Sequence, residues 1–436
     1  MELVETYLER IERLDPGLNA YVTVCADEAR AEAASPRPGP FSGVPLPIKD
    51  LTETAGIRTT FSCRGFAANV PARDVEVVRR LRAAGFVILG KTNTPEFGST
   101  AVTESELNGV CRNPWDRSRT PGGSSGGAAV AVAAGLAPLA HGSDGGGSIR
   151  IPASCCGLFG LKPSRGRISP APFGDVYGLG VSGSLARTVA DAAAFLDVVA
   201  GPEPGDPYLA APPERPFADE VGAAPGRLRV VVAVEPPHPA PVDPACVAAA
   251  RDAAALLEEL GHEVEEATPP WRSEELIGLF AVVWQTIPAL YPVEASQLEP
   301  LNAAFVERAR ATSSAEYVGA LARLQLYARA FASFCASADV VLTPTLAQPP
   351  VPVEWVRAPE DPWEQFARAA DFTPFTPAVN VAGLPAASVP LSWSDEGLPL
   401  GVQLIGPAGG EATLIRLSAQ LEEARPWAAR RPPGVE

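Results

Sequence analysis

Two clusters of glycine and serine attract attention first, because serine hydroxyls and closely spaced backbone N–H groups together support nucleophilic chemistry. Residues 122–127 read GGSSGG, and residues 142–148 read GSDGGGS. Glycine loses more backbone freedom on folding than any other residue. Such density therefore indicates that the backbone approaches another group closely or directs its N–H groups at one. A serine hydroxyl becomes an effective nucleophile only when an adjacent base takes its proton.

The segment that joins the two clusters consists almost entirely of small apolar residues. Residues 128–140 are Ala, Val, Leu and Gly with a single Pro. This composition predicts a tightly packed, buried helix without bulky side chains. The segment is too short to cross a bilayer, which requires about 20 residues.

Further motifs follow in a fixed order along the chain. They are GVPLPIKD at 43–50, LRAAGFVILGKTNTPEFG at 81–98, CRNPWD at 111–116, GLKPSRGRIS at 160–169 and LPLGVQLIGP at 398–407. With the two clusters, they resemble the amidase signature family, which are serine hydrolases of carbon–nitrogen bonds. The resemblance covers nearly the whole chain and is weakest over residues 201–338. Within the family, residues 141–167 are most similar to the branch of nylon-oligomer cyclic-dimer hydrolases.

The resemblance implies a Ser–cis-Ser–Lys triad. Matched by motif position, Ser148 is the nucleophile, Ser124 is the bridging serine after a cis peptide bond, and Lys49 is the base. A lysine acts as a base only when it is neutral, and its ordinary pKa is about 10.4. Burial lowers the pKa of a lysine, and the apolar stretch before Lys49 favours burial.

The glycines before Ser148 are expected to form an oxyanion hole. The backbone N–H groups of Gly145, Gly146, Gly147 and Ser148 can face the negative charge that develops on the substrate carbonyl oxygen. One such donor is typically worth about 2.7–4 kcal/mol of barrier lowering. The family most often has Thr where this chain has Gly145, and we expect this difference to change the shape of the pocket.

Substrate contacts are predicted from two parts of the chain. Residues 94–108 are polar and irregular, and Phe97, Ser99 and Asn108 are candidates there, together with Ser125 beside the bridging serine. In the family, inserted helices form a roof over the binding funnel. Aromatic residues available for such a roof are Phe280, Trp284, Tyr291, Tyr317, Tyr327 and Phe331.

The predicted fold class is α/β: a large, twisted, mixed β-sheet covered on both faces by helices, with an inserted helical roof. A helix–glycine–strand unit at 74–90 supports a sheet covered by helices. We expect a single amidase domain over residues 1–436, with a core of 1–200 and 339–436 and an insertion at 201–338. The stretch 376–399 is rich in Pro and Gly, and a last strand at 401–405 and a helix at 411–424 are predicted after it.

Composition limits the partners and the compartment. The net charge of −16 without a basic run argues against nucleic-acid binding. Seven cysteines, an odd number with no C-x-x-C spacing, indicate reduced thiols and a cytoplasmic location. No targeting segment, metal-ligand motif or cofactor motif is present. We therefore expect no cofactor, no metal and no membrane partner, and either a monomer or a homodimer.

Three other functions were weighed against the sequence. A Ser–His–Asp hydrolase with Ser124 in a G-x-S-x-G turn requires a suitable histidine, and the chain has only three histidines. A glutaminase-type subunit of a tRNA-dependent amidotransferase usually carries Gln where this chain has Ile151. A binding protein without activity is disfavoured because Lys49, Ser124 and Ser148 are all present.

The sequence therefore predicts hydrolysis of a neutral amide through a covalent acyl-serine. Carbamates (urethanes), aryl esters, and cyclic or linear nylon-type oligomers are further candidate substrates, because one triad can protonate all of these leaving groups.

Overall fold

A computed structural model of the chain describes residues 1–173, 175 and 177–435, so that Gly174, Val176 and Glu436 lie outside the described residues. The strands are β1 Tyr21–Val24, β2 Pro45–Lys49, β3 Val87–Thr92, β4 Glu104–Ser105, β5 Gly109–Val110, β6 Leu139–Asp144, β7 Phe159–Lys162, β8 Val181–Ala186, β9 Arg229–Val232, β10 Glu263–Glu266, β11 Val340–Pro344, β12 Ala386–Trp393 and β13 Pro399–Ile405. The helices are α1 Glu2–Leu14, α2 Ala26–Ala34, α3 Glu76–Ala83, α4 Gly126–Ala133, α5 Arg150–Cys156, α6 Val189–Val199, α7 Pro244–Glu259, α8 Leu276–Trp284, α9 Thr286–Ala289, α10 Pro300–Ala311, α11 Ser314–Ser337, α12 Pro362–Phe372, α13 Pro377–Ala382 and α14 Glu411–Ala424.

An eight-stranded mixed sheet forms the centre of the molecule. Its strand order is β10-β9-β11-β13-β12-β7-β8-β6. β9 pairs in parallel with β10 and β11, and the other neighbours are antiparallel. The predicted α/β class with a large mixed sheet is confirmed.

Alternation along the strands explains why helices cover both faces. Successive side chains of a strand point to opposite faces. In β9, Val230 and Val232 pack into the core with α6, α7 and α14, whereas Val231 packs with α8, α11 and α13. A strand with two apolar faces must be buried on both sides, so the sheet requires a helical layer on each.

A small three-stranded sheet carries Lys49. In the order β1-β3-β2, β3 pairs antiparallel with β1 and parallel with β2. Every residue of β2 is buried, including Lys49 at its end. The predicted apolar setting of this lysine is therefore observed.

One sequence prediction of local structure was wrong, and one strand lies where the sequence gives little signal for it. A helix was expected over 128–140, but α4 ends at Ala133. Gly135 adopts a φ of +68°, which a helix does not allow, and Leu139 and Ala140 then pair with β8 in the sheet. The stretch 376–399, whose sequence is simply rich in Pro and Gly, contains α13 and the whole of β12, a central strand of the large sheet. Pairing on both sides of β12 outweighs the weak strand signal of its sequence.

All seven cysteines are free and buried, as the reduced-thiol prediction required. Within the part of the chain that the structure describes, no helix combines the length and the apolar character needed to cross a membrane.

Two helical glycines allow the packing around α4 to be tested. A Cβ at Gly127 would lie 2.3 Å from the backbone nitrogen of Asn93, whereas a Cβ at Gly319 in α11 meets nothing within 4 Å. We expect Gly127→Ala to cost about 1–3 kcal/mol of stability through overpacking. Gly319→Ala should instead stabilise by about 0.4–1 kcal/mol, since it reduces the freedom of the unfolded chain. Calorimetric melting of both variants should give shifts of opposite sign, and equal shifts would contradict the packing described.

Candidate functional site

Three separate elements carry the residues of the predicted triad. Lys49 ends β2, Ser124 lies in the turn before α4, and Ser148 lies in the turn between β6 and α5. The peptide bond between Gly123 and Ser124 is cis. All three side chains are buried, and Ser148, at 7 % exposure, is the most accessible of them.

The amine of Lys49 is fully enclosed and reaches the bridging serine. Its Nζ donates to Ser124 Oγ at 2.7 Å, and also to Oγ and the carbonyl oxygen of Ser143 at 3.1 and 3.2 Å. Burial lowers the pKa of Lys49 to about 7, although the nearby Asp144 carboxylate opposes that shift. A large neutral fraction of this amine is therefore present near neutral pH.

The Ser148 hydroxyl faces a cavity and, among the described residues, forms no hydrogen bond with Ser124 Oγ or Lys49 Nζ. The two serine-bearing turns are nevertheless joined directly, because the N–H of Ser125 donates to the carbonyl oxygen of Ser148 at 3.2 Å. Catalytic hydrogen bonds are often long or absent in unliganded enzymes and tighten when substrate binds.

The sequence predicts the N–H of Gly147 as an oxyanion donor, but the structure gives this N–H another partner. Its N–H donates to Asp144 Oδ1 at 2.8 Å and is therefore occupied. In the described part of the chain, the N–H groups of Gly145, Gly146 and Ser148 have no such acceptor. Gly147 is required for another reason, since its φ is +131° and a Cβ would lie 2.3 Å from Thr376 Oγ1.

A buried ion pair fixes the turn that carries Ser148. Arg150 donates to both carboxylate oxygens of Asp144 at 3.0 Å. It also donates to Gln403 and Asn380. Burial of Asp144 opposes ionisation, but the Arg150 charge prevails and holds the pKa of that carboxyl well below its usual range. Arg150 therefore has a structural role, because its guanidinium group is fully used in hydrogen bonds inside the protein.

A narrow slot of about 50 Å³ opens beside Ser148. Phe280 and Trp284 form one wall, with their rings stacked at 5.1 Å. Gly145 has no unusual φ, but a Cβ there would lie 2.9 Å from the Trp284 ring. The glycine at this position therefore permits the close approach of Trp284. The full lining is Gly98, Ser99, Thr100, Ala101, Gly146, Ser148, Ile151, Ile277, Phe280, Trp284, Phe366, Ala369, Ala370, Thr373 and Pro377.

A larger cavity of about 710 Å³ is lined by Leu51, Phe61, Tyr177 and Tyr291, among others. Leu51 approaches the triad, because a Cβ at Gly98 would lie 2.6 Å from Leu51 Cδ1 and 3.0 Å from Ser124 Oγ. The site therefore has a tight space next to Ser148 and a wider, mostly apolar space beyond Leu51.

Of the four predicted substrate contacts, only Ser99 lines the slot. Its hydroxyl binds Asn302 Oδ1, so it offers mainly its backbone. Phe97 instead stacks on Tyr291 at 4.6 Å. Asn108 donates to Thr60 and Ser62, and Ser125 is fully buried with its hydroxyl on the Ser143 carbonyl.

Sequence reasoning missed several residues that shape the site. Ser143 binds the lysine, and Thr376 donates to the Gly146 carbonyl at 2.7 Å. Ile277 and residues of α12 line the slot. Ser143 lies within the second cluster and could have been found there, but the others have no local motif.

The three histidines do not supply a base for a Ser–His–Asp arrangement. His141 is fully buried, its Nε2 lies 3.3 Å from Ser182 Oγ, and burial lowers its pKa to about 3. His262 binds Gln420, and His238 lies near Asp371. Among the described residues, no group of three or more His, Cys, Asp or Glu side chains is arranged to hold a metal ion.

Comparisons with known proteins show the family of the chain. The family model described as Amidase matches residues 2–415. The 6-aminohexanoate-cyclic-dimer hydrolase of Paenarthrobacter ureafaciens is 39% identical over 469 residues, which cover 99% of this chain and 92% of that protein. The chain belongs to the amidase signature family and is an amide-hydrolysing enzyme of that family.

Two solved structures extend the comparison. A 6-aminohexanoate cyclic dimer hydrolase complexed with substrate is 37% identical, with a TM-score of 0.95 over 100% of this chain and 95% of that one. A bacterial aryl acylamidase of the family is 27% identical, with a TM-score of 0.87 over 98% and 95% of the two chains. These relatives are hydrolases of amides, and an amidotransferase subunit is not favoured.

The pKa of Lys49 predicts the pH dependence of the reaction. With Lys49 as the predicted base, the amine is protonated below a pKa of about 7 and cannot accept a proton, so kcat/KM should rise with pH through a midpoint near 7. The residual turnover of Lys49→Met should lack this rise. Lys162 is the control, because burial also lowers its pKa to about 7 but its Nζ binds the Pro163 carbonyl. A pH profile unchanged in Lys49→Met but flat in Lys162→Met would contradict the assignment.

Proposed function

We propose that this enzyme hydrolyses a neutral amide through a covalent acyl-serine, with Ser148 as nucleophile, Ser124 as proton relay and Lys49 as base. The observation that carries this proposal is the enclosed Lys49 amine, 2.7 Å from Ser124 Oγ and with a pKa lowered to about 7. An amine in this position can hold the proton that Ser148 loses and later return it.

The first half of the reaction follows from these contacts. Ser148 Oγ attacks the substrate carbonyl carbon while its proton passes to Ser124, whose own proton passes to neutral Lys49. The N–H groups of Gly145, Gly146 and Ser148, which have no other acceptor in the described chain, stabilise the oxyanion. The ammonium of Lys49 then returns a proton through Ser124 to the leaving nitrogen, and the carbon–nitrogen bond breaks.

The second half repeats this sequence with water. A water molecule loses its proton to the Ser124–Lys49 pair and attacks the acyl carbon. The same N–H groups hold the second oxyanion, and Ser148 leaves with the returned proton. Before acylation, the Ser148 hydroxyl must come within hydrogen-bond distance of Ser124 Oγ, a contact of the kind that tightens when substrate binds.

The slot supports a preference for thin, uncharged acyl groups. Its lining contains no charged side chain in the described structure, and Ile151, Phe280 and Trp284 make it apolar and narrow. The wider cavity beyond Leu51 has room for the leaving half. We propose an unbranched aliphatic amide, linear or cyclic, of the kind that the name 6-aminohexanoate-cyclic-dimer hydrolase gives for a relative. Carbamates (urethanes) and aryl esters are proposed as side activities.

We also propose that the enzyme acts in the cytoplasm as a monomer or homodimer, without nucleic acid as a partner. Free, buried cysteines and a net charge of −16 support this setting. The insertion 201–338 belongs to the same domain in this proposal, because Phe280 and Trp284 complete the slot around Ser148.

Two substitutions test the proposed triad. Ser148→Ala should abolish turnover of every substrate, since no nucleophile remains. Lys49→Ala should lower amide turnover by about 10²–10⁴-fold, the usual contribution of general acid–base catalysis. Its effect on aryl esters should be smaller, because a phenolate leaves without protonation. Steady-state rates for hexananilide and phenyl hexanoate measure the difference. Full amide turnover by Lys49→Ala would refute the role of this lysine.

The aromatic wall of the slot gives a second test. Trp284→Ala should improve kcat/KM for branched or aromatic acyl amides relative to hexanamide by about 10-fold or more, as expected for added room in an apolar pocket. Gly145→Ala should push the Trp284 ring aside and lower hexanamide turnover. Gly180→Ala is the matched control, because a Cβ there meets nothing within 4 Å. An unchanged acyl preference in Trp284→Ala would show that this ring does not select substrate.

A further inference from the structure

A second cavity lies behind one wall of the slot. It has a volume of about 380 Å³ and is bounded by residues 95–104, the start of α10 and residues 356–360. Ser99 and Thr100 line both the slot and this cavity. Pro300, Ala358 and Glu360 on its rim are exposed, so the cavity can be reached from solvent.

Acidic side chains outnumber basic ones in this cavity, and burial raises the pKa of Glu96, Glu104 and Glu299. Four carboxylates line it, from Glu96, Glu104, Glu299 and Glu360, against one guanidinium, from Arg357. Glu96, Glu104 and Glu299 are only 2 %, 1 % and 9 % exposed. The Arg357 guanidinium lies 3.4 Å from Glu299 Oε2 and therefore forms an ion pair with one of the three buried glutamates.

Hydrogen bonds and the ion pair with Arg357 satisfy most of the buried oxygens but leave two without a partner. Glu96 Oε2 accepts from the N–H of Glu299 and from Asn302 at 2.9 and 2.7 Å. Glu299 Oε1 accepts from the N–H of Glu106 at 2.6 Å, and Glu104 Oε1 from the N–H of Glu354 at 2.9 Å. Among the described residues, Glu96 Oε1 and Glu104 Oε2 are both buried without a partner. A buried carboxylate oxygen without a donor is costly, which points to a donor from outside.

The remaining lining indicates what kind of donor fits. Pro95, Leu301 and Val356 give the cavity apolar walls next to its carboxylates. The carboxylates do not converge as metal ligands within the described residues. We propose that this cavity binds a primary ammonium group on a short aliphatic chain, with the ammonium at Glu104 and Glu299 and the chain along the apolar wall.

Such binding would act on the slot through their common wall. The Ser99 carbonyl accepts the Trp284 indole N–H at 3.0 Å, and the Ser99 hydroxyl contacts Asn302 in the cavity lining. Thr100, which also lines the cavity, is therefore one residue from the contact that holds Trp284 over the oxyanion loop. The ammonium can come from a free amine or from the distal end of a substrate chain.

The binding test uses the full-length Ser148→Ala variant, so that it does not depend on hydrolysis. Titration with n-butylammonium chloride at constant ionic strength, followed by calorimetry, should show one site, whereas 1-butanol should not bind. Glu104→Gln should weaken butylammonium binding at least tenfold. Glu299→Gln serves as a second variant if Glu104→Gln does not fold. Glu307→Gln, exposed on α10 outside the cavity lining, is the matched control and should bind normally.

Absence of butylammonium binding to folded protein, or equal binding by the Gln variants of Glu104 and Glu299, overturns the proposal. The source of the ammonium is then separated with active enzyme. If the substrate supplies it, 6-aminohexanamide should be preferred to hexanamide, and Glu104→Gln should remove the preference. If a free amine supplies it, butylammonium should change the turnover of hexanamide itself. Failure of the proposed function would look different: butylammonium would bind, but neither amide would be hydrolysed.

Discussion

The proposed chemistry of this site depends on the burial of the Lys49 amine. Lys49 ends a strand whose residues are all buried, and burial lowers its pKa towards neutrality. Asp144 lies close enough to oppose that shift. Arg150 engages both oxygens of Asp144 inside the protein. The buried Arg150–Asp144 ion pair therefore has two effects. It stabilises the turn that carries Ser148, and it pairs the Asp144 carboxylate with a cation other than Lys49.

The three consecutive glycines 145–147 are required for different physical reasons. Gly147 requires a positive φ and gives its N–H to Asp144. Gly146 lies under Phe280, where a Cβ would come within 3.2 Å of the ring, and Gly145 lies under Trp284. Only the latter two have N–H groups free for an oxyanion. A glycine run thus combines backbone strain, close aromatic packing and hydrogen-bond donation, and sequence alone does not separate these roles.

The site is assembled from parts that are distant in the chain. Trp284 of the insertion, Ile151 of α5 and Thr373 after α12 meet around Ser148. The Ser99 backbone joins this slot to the acidic cavity, because its carbonyl holds Trp284 and its hydroxyl contacts Asn302. The slot and the cavity with the buried carboxylates are therefore joined by contacts of a single loop.

The sequence by itself determined the family, the α/β class, the free cysteines and the residues proposed for catalysis, because long local motifs and glycine spacing carry that information. It also located α14 and the helical insertion. Only the tertiary structure decided the end of α4, the strand β12 and the engagement of the Gly147 N–H, since each depends on pairing or contacts with distant segments. The same holds for Phe97 and Asn108, which pack with other side chains away from the slot. Local pattern specifies chemistry and element type, whereas the walls of a pocket are set by side chains that only folding brings together.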